Sequence, residues 1–123
     1  MANELYDECI ESCIACANTC AHCETSCLSS DNIKPMADCI QLCHDCAEIC
    51  RLAAAWMTRE GRFAATICEV CAVVCTACAA ECGKHPNEHC RACAQTSREC
   101  AELCRRMVGG AIPEVSTSIG LTG

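Results

Sequence analysis

Cysteine marks the apolar positions of this chain at a helical period. Neighbouring cysteines within each of four blocks are three or four residues apart, with one wider gap at Cys93 to Cys100, where Ser97 takes the intervening position. Steps of three and four place side chains on one stripe of an α-helix, whereas a strand would need steps of two. The pattern predicts four helices that carry cysteines at positions 9, 13, 16, 20, 23 and 27; 39, 43, 46 and 50; 68, 71, 75, 78 and 82; and 90, 93, 100 and 104.

Glycine, proline and short polar residues lie between the blocks and predict the turns. Residues 29–35 end the first helix and place Pro35 in the first turn of the second, a position that proline tolerates well. Gly61 is expected to end the second helix, and residues 83–86 to form a tight third turn. Gly109 and Gly110 are expected to end the fourth. The predicted helices span residues 3–28, 35–59, 62–83 and 87–108.

Four helices of similar length with short connections predict an all-α, up-down-up-down antiparallel four-helix bundle. Residues 1–108 would form this Cys-rich bundle and residues 109–123 a flexible C-terminal tail. Antiparallel packing also predicts a register with a Cys-lined core. Its layers are Cys9, Ala53, Cys68 and Cys104; Cys13, Cys50, Cys71 and Cys100; Cys16, Cys46, Cys75 and Ser97; Cys20, Cys43, Cys78 and Cys93; Cys23, Cys39, Cys82 and Cys90; and Cys27, Met36, His85 and the neighbourhood of Pro86 and His89.

Composition and charge exclude several classes of function. The chain has 123 residues, 19 of them Cys and only three aromatic, and its net charge is −7. A nucleic-acid binder needs basic patches and stacking rings, and an anionic membrane surface also attracts basic segments, so neither partner is expected. No uninterrupted apolar run reaches the roughly 20 residues of a bilayer span. The acidic start of the sequence lacks the features of a signal peptide, so a cytoplasmic location is expected.

Familiar explanations of a cysteine-rich chain fit this one poorly. A secreted disulfide scaffold is disfavoured because the number of thiols is odd, their spacing is regular and the cytosol keeps thiols reduced. The spacing differs from that of zinc knuckles and iron–sulfur loops, and no histidine has a glutamate three residues before it, as di-iron bundles require. Thiols that served only as core residues would forgo much of the burial energy of leucine or isoleucine. A bound group is therefore expected to complete the core.

Thiolates are soft ligands that select Cu(I), Zn(II) or iron–sulfur units. Zinc takes four ligands, so 19 thiols would hold about four or five unbridged ions and leave a surplus of buried negative charge. Cu(I) is monovalent and accepts bridging thiolates, so about one Cu(I) per Cys gives a neutral core. The sequence thus predicts multiple Cu(I) ions per chain, with all 19 cysteines as ligands. A capacity on this scale indicates storage.

The same blocks resemble a known family. The segments Cys9-x3-Cys13-x2-Cys16-x3-Cys20, Cys39-x3-Cys43-x2-Cys46-x3-Cys50 and His85-Pro-Asn-Glu-His89-Cys90 are similar to those of the bacterial copper storage proteins, over about residues 5 to 107. This resemblance implies a four-helix bundle that binds many Cu(I) ions reversibly, and a homotetramer as in the cytosolic branch of the family. Ser97 departs from the expected row, which implies that one copper site is missing or rearranged there.

Other side chains are predicted to surround the ends of the thiol stripe. Met36, His85 and His89 gather at one mouth of the bundle, where weaker, neutral ligands would pass the soft ion inward to the thiolates. Tyr6, Met57 and Met107 gather at the other end. The alternative is that the methionines are ordinary core plugs and the two histidines exposed turn residues. His22 and His44 are expected on the surface. A second apolar stripe, which includes Ile14 and Val70, would seal the bundle or meet another subunit.

Two further functions are compatible with the sequence. The first is a general Zn/Cd/Cu thiolate buffer, and the second is a thiol redox protein, which would need an exposed thiolate of low pKa beside a base. The main interpretation is a non-enzymatic, cytosolic Cu(I) storage protein whose partners are copper ions. It leaves open which protein donates or accepts the metal.

Overall fold

Four α-helices form most of the chain in the computed structural model, which describes residues 2–111. They are α1 (Ala2–Leu28), α2 (Ala37–Thr58), α3 (Ala64–Cys82) and α4 (Glu88–Ala111), and a short 3-10 turn, Lys34–Met36, precedes α2. No strand occurs within residues 2–111. The predicted all-α architecture is confirmed.

The helix bounds agree with the sequence to within a few residues, with two differences. Pro35 lies in the 3-10 turn and not inside α2, which begins two residues later. Helix α4 continues through Gly109 and Gly110 to Ala111, so its predicted end at residue 108 was wrong. Each glycine costs a helix only about 1 kcal/mol, which weakens it without ending it. The predicted tail from residue 112 onward lies outside the described residues.

The bundle is a square in which each helix packs against two neighbours. Helix α1 contacts α2 and α4, and α3 contacts the same two helices from the opposite corner. Buried alanines flank the cysteine stripes and keep the helices close together. Those buried on α1, α2, α3 and α4 include Ala17, Ala47, Ala72 and Ala94. The core therefore consists of sulfur on the axis, alanine between helices and methionine at the ends.

Helix α3 is the most apolar of the four. By length and composition it is the one helix among the described residues that could cross a bilayer, although half of the relevant window is buried inside the bundle. The sequence predicted no such segment because Glu69 interrupts the apolar run of this helix. Core cysteines and alanines supply much of its hydropathy.

The turn between α2 and α3 places a non-glycine residue in left-handed backbone. Glu60 has φ 52°, and its N–H donates to the Met57 carbonyl at 2.9 Å. The next residue, Gly61, donates to the Trp56 carbonyl at 2.9 Å, and a Cβ there would lie 3.3 Å from that same oxygen. Gly61 therefore permits the close approach of the Trp56 carbonyl, whereas Glu60 bears the energetic cost of left-handed backbone.

We expect Glu60→Gly to stabilise the metal-free protein by about 0.5–1 kcal/mol. Left-handed backbone costs a residue with a Cβ about 1–2 kcal/mol, and the added flexibility of glycine in the unfolded chain offsets only part of that gain. Thermal unfolding under reducing conditions measures the change. The control is Arg59→Gly, because Arg59 has φ −83° and gains nothing from glycine. Equal destabilisation by both variants would contradict the prediction.

Candidate metal centre

All 19 cysteine side chains point to the axis of the bundle. Each is at most 1 % exposed, and all are free thiols. The closest sulfur atoms that face each other across helices, those of Cys39 and Cys82, are 3.3 Å apart, well beyond the ~2.05 Å of a disulfide. The predicted convergence of the four stripes is confirmed, and the disulfide scaffold does not describe this structure.

The central layer shows how the four helices meet. Cys20 on α1, Cys43 on α2, Cys78 on α3 and Cys93 on α4 have sulfur atoms that all lie within 4.8 Å of one another. The Cys20 and Cys93 sulfurs are 3.4 Å apart, and those of Cys43 and Cys93 are 3.6 Å apart. This is the layer that the antiparallel register predicted. Each helix contributes one soft ligand to a site of the size of a single metal ion.

Other groups of four sulfurs, with the same spread, lie along the axis on either side of this layer. Some thiols belong to two groups: Cys43 also meets Cys82 at 3.5 Å, and Cys39 meets both Cys82 and Cys90. Shared sulfurs allow one thiolate to bridge two ions. These further groups include Cys13, Cys71, Cys100 and Cys104; Cys16, Cys46, Cys50 and Cys75; Cys23, Cys39, Cys43 and Cys82; and Cys23, Cys27, Cys39 and Cys90.

Cys9 and Cys68 belong to the last layer before the methionine end. The Cys9 and Cys104 sulfurs are 3.7 Å apart, and the pKa of Cys9 is lowered because Cys104, Cys13 and Cys68 hydrogen-bond to it. Ala53, fully buried, supplies no ligand to this layer. The layer therefore contains three thiols, as the register predicted.

Ser97 is the one buried polar side chain among the described residues, and it lies within the thiol column. Its hydroxyl oxygen is 3.6 Å from the Cys16 sulfur and 3.7 Å from the Cys20 sulfur. The sulfurs of Cys46 and Cys93 are both 3.9 Å away. The hydroxyl thus occupies the position at which a fourth-helix thiol was expected.

One end of the column is surrounded by histidines. The Nδ1 atom of His89 is 3.5 Å from the sulfurs of both Cys23 and Cys90, so the structure brings this histidine to the thiols. Met36 is buried at the same end. His85 is mostly buried, and its Nε2–H donates to the Glu81 carboxylate at 3.1 Å. In a neutral imidazole, that bond makes Nδ1 of His85 the acceptor nitrogen.

Sequence reasoning missed Glu81. Its carboxylate also accepts from the Lys84 ammonium at 3.3 Å, and its pKa is lowered, mainly because His85 hydrogen-bonds to it. The signal that could have revealed the contact is the spacing of four residues between Glu81 and His85, since such pairs meet on one helix face.

The opposite end is closed by apolar groups. Met57 and Met107 are almost completely buried, and Tyr6 is half-buried beside them. The pKa of Tyr6 is raised, first by burial and then by Cys68 and Glu60 nearby. The predicted gathering of aromatic and thioether side chains at this end is consistent with their burial.

Burial shapes the acidity of the thiols at the histidine end. The pKa of Cys90 is raised to about 12, first by burial and then by the negative charge that Cys39 and Cys27 would carry. Burial likewise raises the pKa of Cys27. The pKa of Cys39 is lowered because Cys23, Cys43 and Cys82 hydrogen-bond to it. A site with such protonated neighbours binds a cation by releasing thiol protons.

The remaining histidines lie on the surface, as predicted. His44 is 55 % exposed and pairs with Glu24 at 3.0 Å, a contact that raises its pKa. His22 is exposed and lies 3.5 Å from the Ser26 hydroxyl. The second apolar stripe is divided: Ala17 and Ile67 are buried, whereas Ile14 and Val70 are exposed.

Comparisons with known proteins agree with this geometry. The family model described as "Copper storage protein" matches residues 2–109. A curated relative, the uncharacterized cysteine-rich protein YhjQ of Bacillus subtilis, is 47 % identical over 105 residues, which are 85 % of this chain and 97 % of that protein.

Solved structures show the same likeness. The Cu(I)-bound copper storage protein BsCsp3 is 44 % identical with a TM-score of 0.82, and the match covers 85 % of this chain and 98 % of that chain. A cytosolic copper storage protein from Streptomyces lividans, in a structure with five coppers, is 35 % identical with a TM-score of 0.86. That match covers 89 % of this chain and 96 % of the other.

Proposed function

This chain belongs to the copper storage protein family, and we propose that it stores many Cu(I) ions on the thiolates that line its bundle. All 19 cysteines would act as ligands: Cys9, Cys13, Cys16, Cys20, Cys23, Cys27, Cys39, Cys43, Cys46, Cys50, Cys68, Cys71, Cys75, Cys78, Cys82, Cys90, Cys93, Cys100 and Cys104. Met36, His85 and His89 would assist at one end. The observation that carries the proposal is the complete burial of these thiols in overlapping groups.

Charge and coordination favour Cu(I) over zinc in this core. The column contains no buried cationic side chain, since Ser97 is its one buried polar residue within the described part of the chain. Ions that neutralise the thiolates must therefore supply all the positive charge. Bridged Cu(I) does this at about one ion per thiolate, whereas tetrahedral zinc sites leave excess negative charge. A general thiolate buffer for zinc or cadmium fits the core less well.

A thiol redox function is also less well supported. Such a protein exposes a reactive thiolate to its oxidant. Here every cysteine is buried, and those closest to a base, Cys23 and Cys90, are fully buried. The family is one of storage proteins and not of enzymes, and we propose a non-catalytic role for this chain.

We expect anaerobic titration to load more than ten Cu(I) ions on each chain, with loss of free-thiol reactivity in step. The reason is that each buried thiol can serve as a bridging ligand. Metal analysis and thiol counting on the same sample test this. The control is the protein with its thiols alkylated in denaturant. Displacement of bound Cu(I) by zinc, in competition with chelators of known strength, would contradict the assignment.

Copper would enter the column at the histidine end. His89 already contacts two thiols there, and Met36 adds a thioether nearby, whereas Met57 and Met107 close the other end with apolar groups. Neutral imidazole and thioether ligands hold a soft ion more weakly than thiolates do, which suits transfer inward. His85, oriented by Glu81, would receive the ion before His89.

Alanine in place of both His85 and His89 should slow Cu(I) uptake several-fold and leave the final capacity within about two ions of the original. The histidines assist passage, while the thiolates of the column hold the cargo. Stopped-flow absorbance of copper–thiolate formation gives the rate. His22→Ala is the matched control because His22 is an exposed histidine on the flank of α1. An unchanged rate in the double variant would place uptake elsewhere.

The location and assembly of the protein are also proposed. A structural relative is named as a cytosolic storage protein, which supports storage in the cytosol here. Helix α3 and the residue that precedes it carry an exposed apolar surface, the α3 face, formed by Phe63, Val70, Val73, Ala77 and Ala80. Phe63 and Val73 are 57 % and 59 % exposed. A second copy of the chain is the occupant that fits this uncharged face, as the homotetramer implied by the family resemblance requires.

Val73→Lys should reduce the oligomer to a smaller species. A lysine at the centre of the α3 face would leave a buried charge without a partner in the interface. Light scattering coupled to size-exclusion chromatography reports the mass. Ile14→Lys is the control, because Ile14 is a similarly exposed apolar residue on α1, at the opposite corner of the bundle. The same mass for wild type and Val73→Lys would show that this face is not the contact.

A further inference from the structure

Ser97 interrupts the row of thiols on α4. The row passes from Cys93 to Cys100, seven residues or about 10.5 Å along the helix, without a sulfur ligand between them. On the other three helices the thiols at the same level are present: Cys16, Cys46 and Cys75, each fully buried. The interruption therefore lies inside the column and not at one of its ends.

A hydroxyl cannot replace the missing ligand. A serine oxygen is hard and stays protonated at neutral pH, whereas Cu(I) selects soft thiolates. The Ser97 oxygen lies within 4 Å of four sulfurs on three helices, so it occupies the volume in which a bridging sulfur would sit. The Ser97 step of α4 therefore supplies no thiolate, and the nearest α4 sulfurs are those of Cys93 and Cys100, one turn away on either side.

We propose that Ser97 divides the stored copper into two separate clusters, an inference that rests on the proposed function. The cluster on the histidine side would use nine thiols: Cys20, Cys23, Cys27, Cys39, Cys43, Cys78, Cys82, Cys90 and Cys93. The cluster on the methionine side would use ten: Cys9, Cys13, Cys16, Cys46, Cys50, Cys68, Cys71, Cys75, Cys100 and Cys104.

The groups of four sulfurs next to Ser97 agree with this division. Cys20, Cys43, Cys78 and Cys93 meet on the histidine side, and Cys16, Cys46, Cys50 and Cys75 meet on the other. The first group has a member on every helix, whereas the second has none on α4. Contacts between the two sets of thiols are those of Cys16 with Cys20, 3.9 Å apart on α1, and of Cys46 with Cys20 and Cys78, and none of them involves a thiol of α4. One half is then expected to fill as a unit before the other half is complete.

Native mass spectrometry of the full chain during anaerobic titration with Cu(I) tests the division. Wild type should accumulate a half-filled species with about nine or ten ions, at one ion per thiolate, before the filled species appears. Ser97→Cys restores the row with a nearly isosteric side chain, and it should abolish the half-filled species and add about one ion. Ser97→Ala removes the hydroxyl without adding sulfur, and the half-filled species should persist.

Ala53→Cys is the matched control for an added thiol. Ala53 is fully buried at a stripe position in the terminal layer, far from Ser97, so this variant should add about one ion and keep the half-filled species. Circular dichroism confirms that each variant retains its helices. Persistence of the half-filled species in Ser97→Cys, or its loss in Ser97→Ala, overturns the role of the missing sulfur.

Failure of this inference differs from failure of copper storage itself. A wild-type chain that binds more than ten ions with no half-filled species contradicts only the division at Ser97. A wild-type chain that binds no more than a few ions contradicts both the division and storage.

Discussion

The fold depends on the requirement that four helices approach closely enough for their sulfur atoms to meet on one axis. Four thiols from four helices lie within 4.8 Å of one another in the central layer. Leucine at those positions would fill the axis, and larger residues between the helices would separate them. Buried alanines such as Ala17, Ala72 and Ala94 allow the close approach. Alanine between helices and cysteine on the axis are therefore two parts of one packing solution.

This packing has an energetic consequence for the metal-free protein. Thiols and alanines bury less apolar surface than leucine and isoleucine, so hydrophobic burial stabilises the bundle less than in an ordinary four-helix protein. Good helix formers and the buried side chains of Met57 and Met107 contribute to the remaining stability. A ligand that binds only the folded chain increases the free energy of unfolding, so bound metal would add the stability that the small side chains of the core do not supply.

Much of the structure could be predicted because one periodic signal determines both the helices and their register. A stripe of thiols can be buried in only one orientation, and short turns then align Cys20 with Cys93 and leave Ala53 without a sulfur partner. Features without a periodic signal were harder to predict. The extension of α4 through Gly109 depends on a small difference in backbone free energy between helix and coil. The left-handed backbone of Glu60 and the contact between Glu81 and His85 are local geometries that residue spacing alone indicates only weakly. The assignment of the metal ligands remains a prediction from the same stripe of cysteines.

The high pKa of a buried thiol such as Cys90 has a consequence for the outside of the molecule. A Cu(I) ion that takes the place of the proton on such a thiol adds mass without adding charge. At such thiols, copper binding would leave the net charge of −7, and the surface potential that it sets, unchanged. Rates of encounter with other proteins depend on that potential, so they would not change with the amount of copper bound in this way. A partner protein would then detect the amount of bound copper only by direct contact with the end of the column.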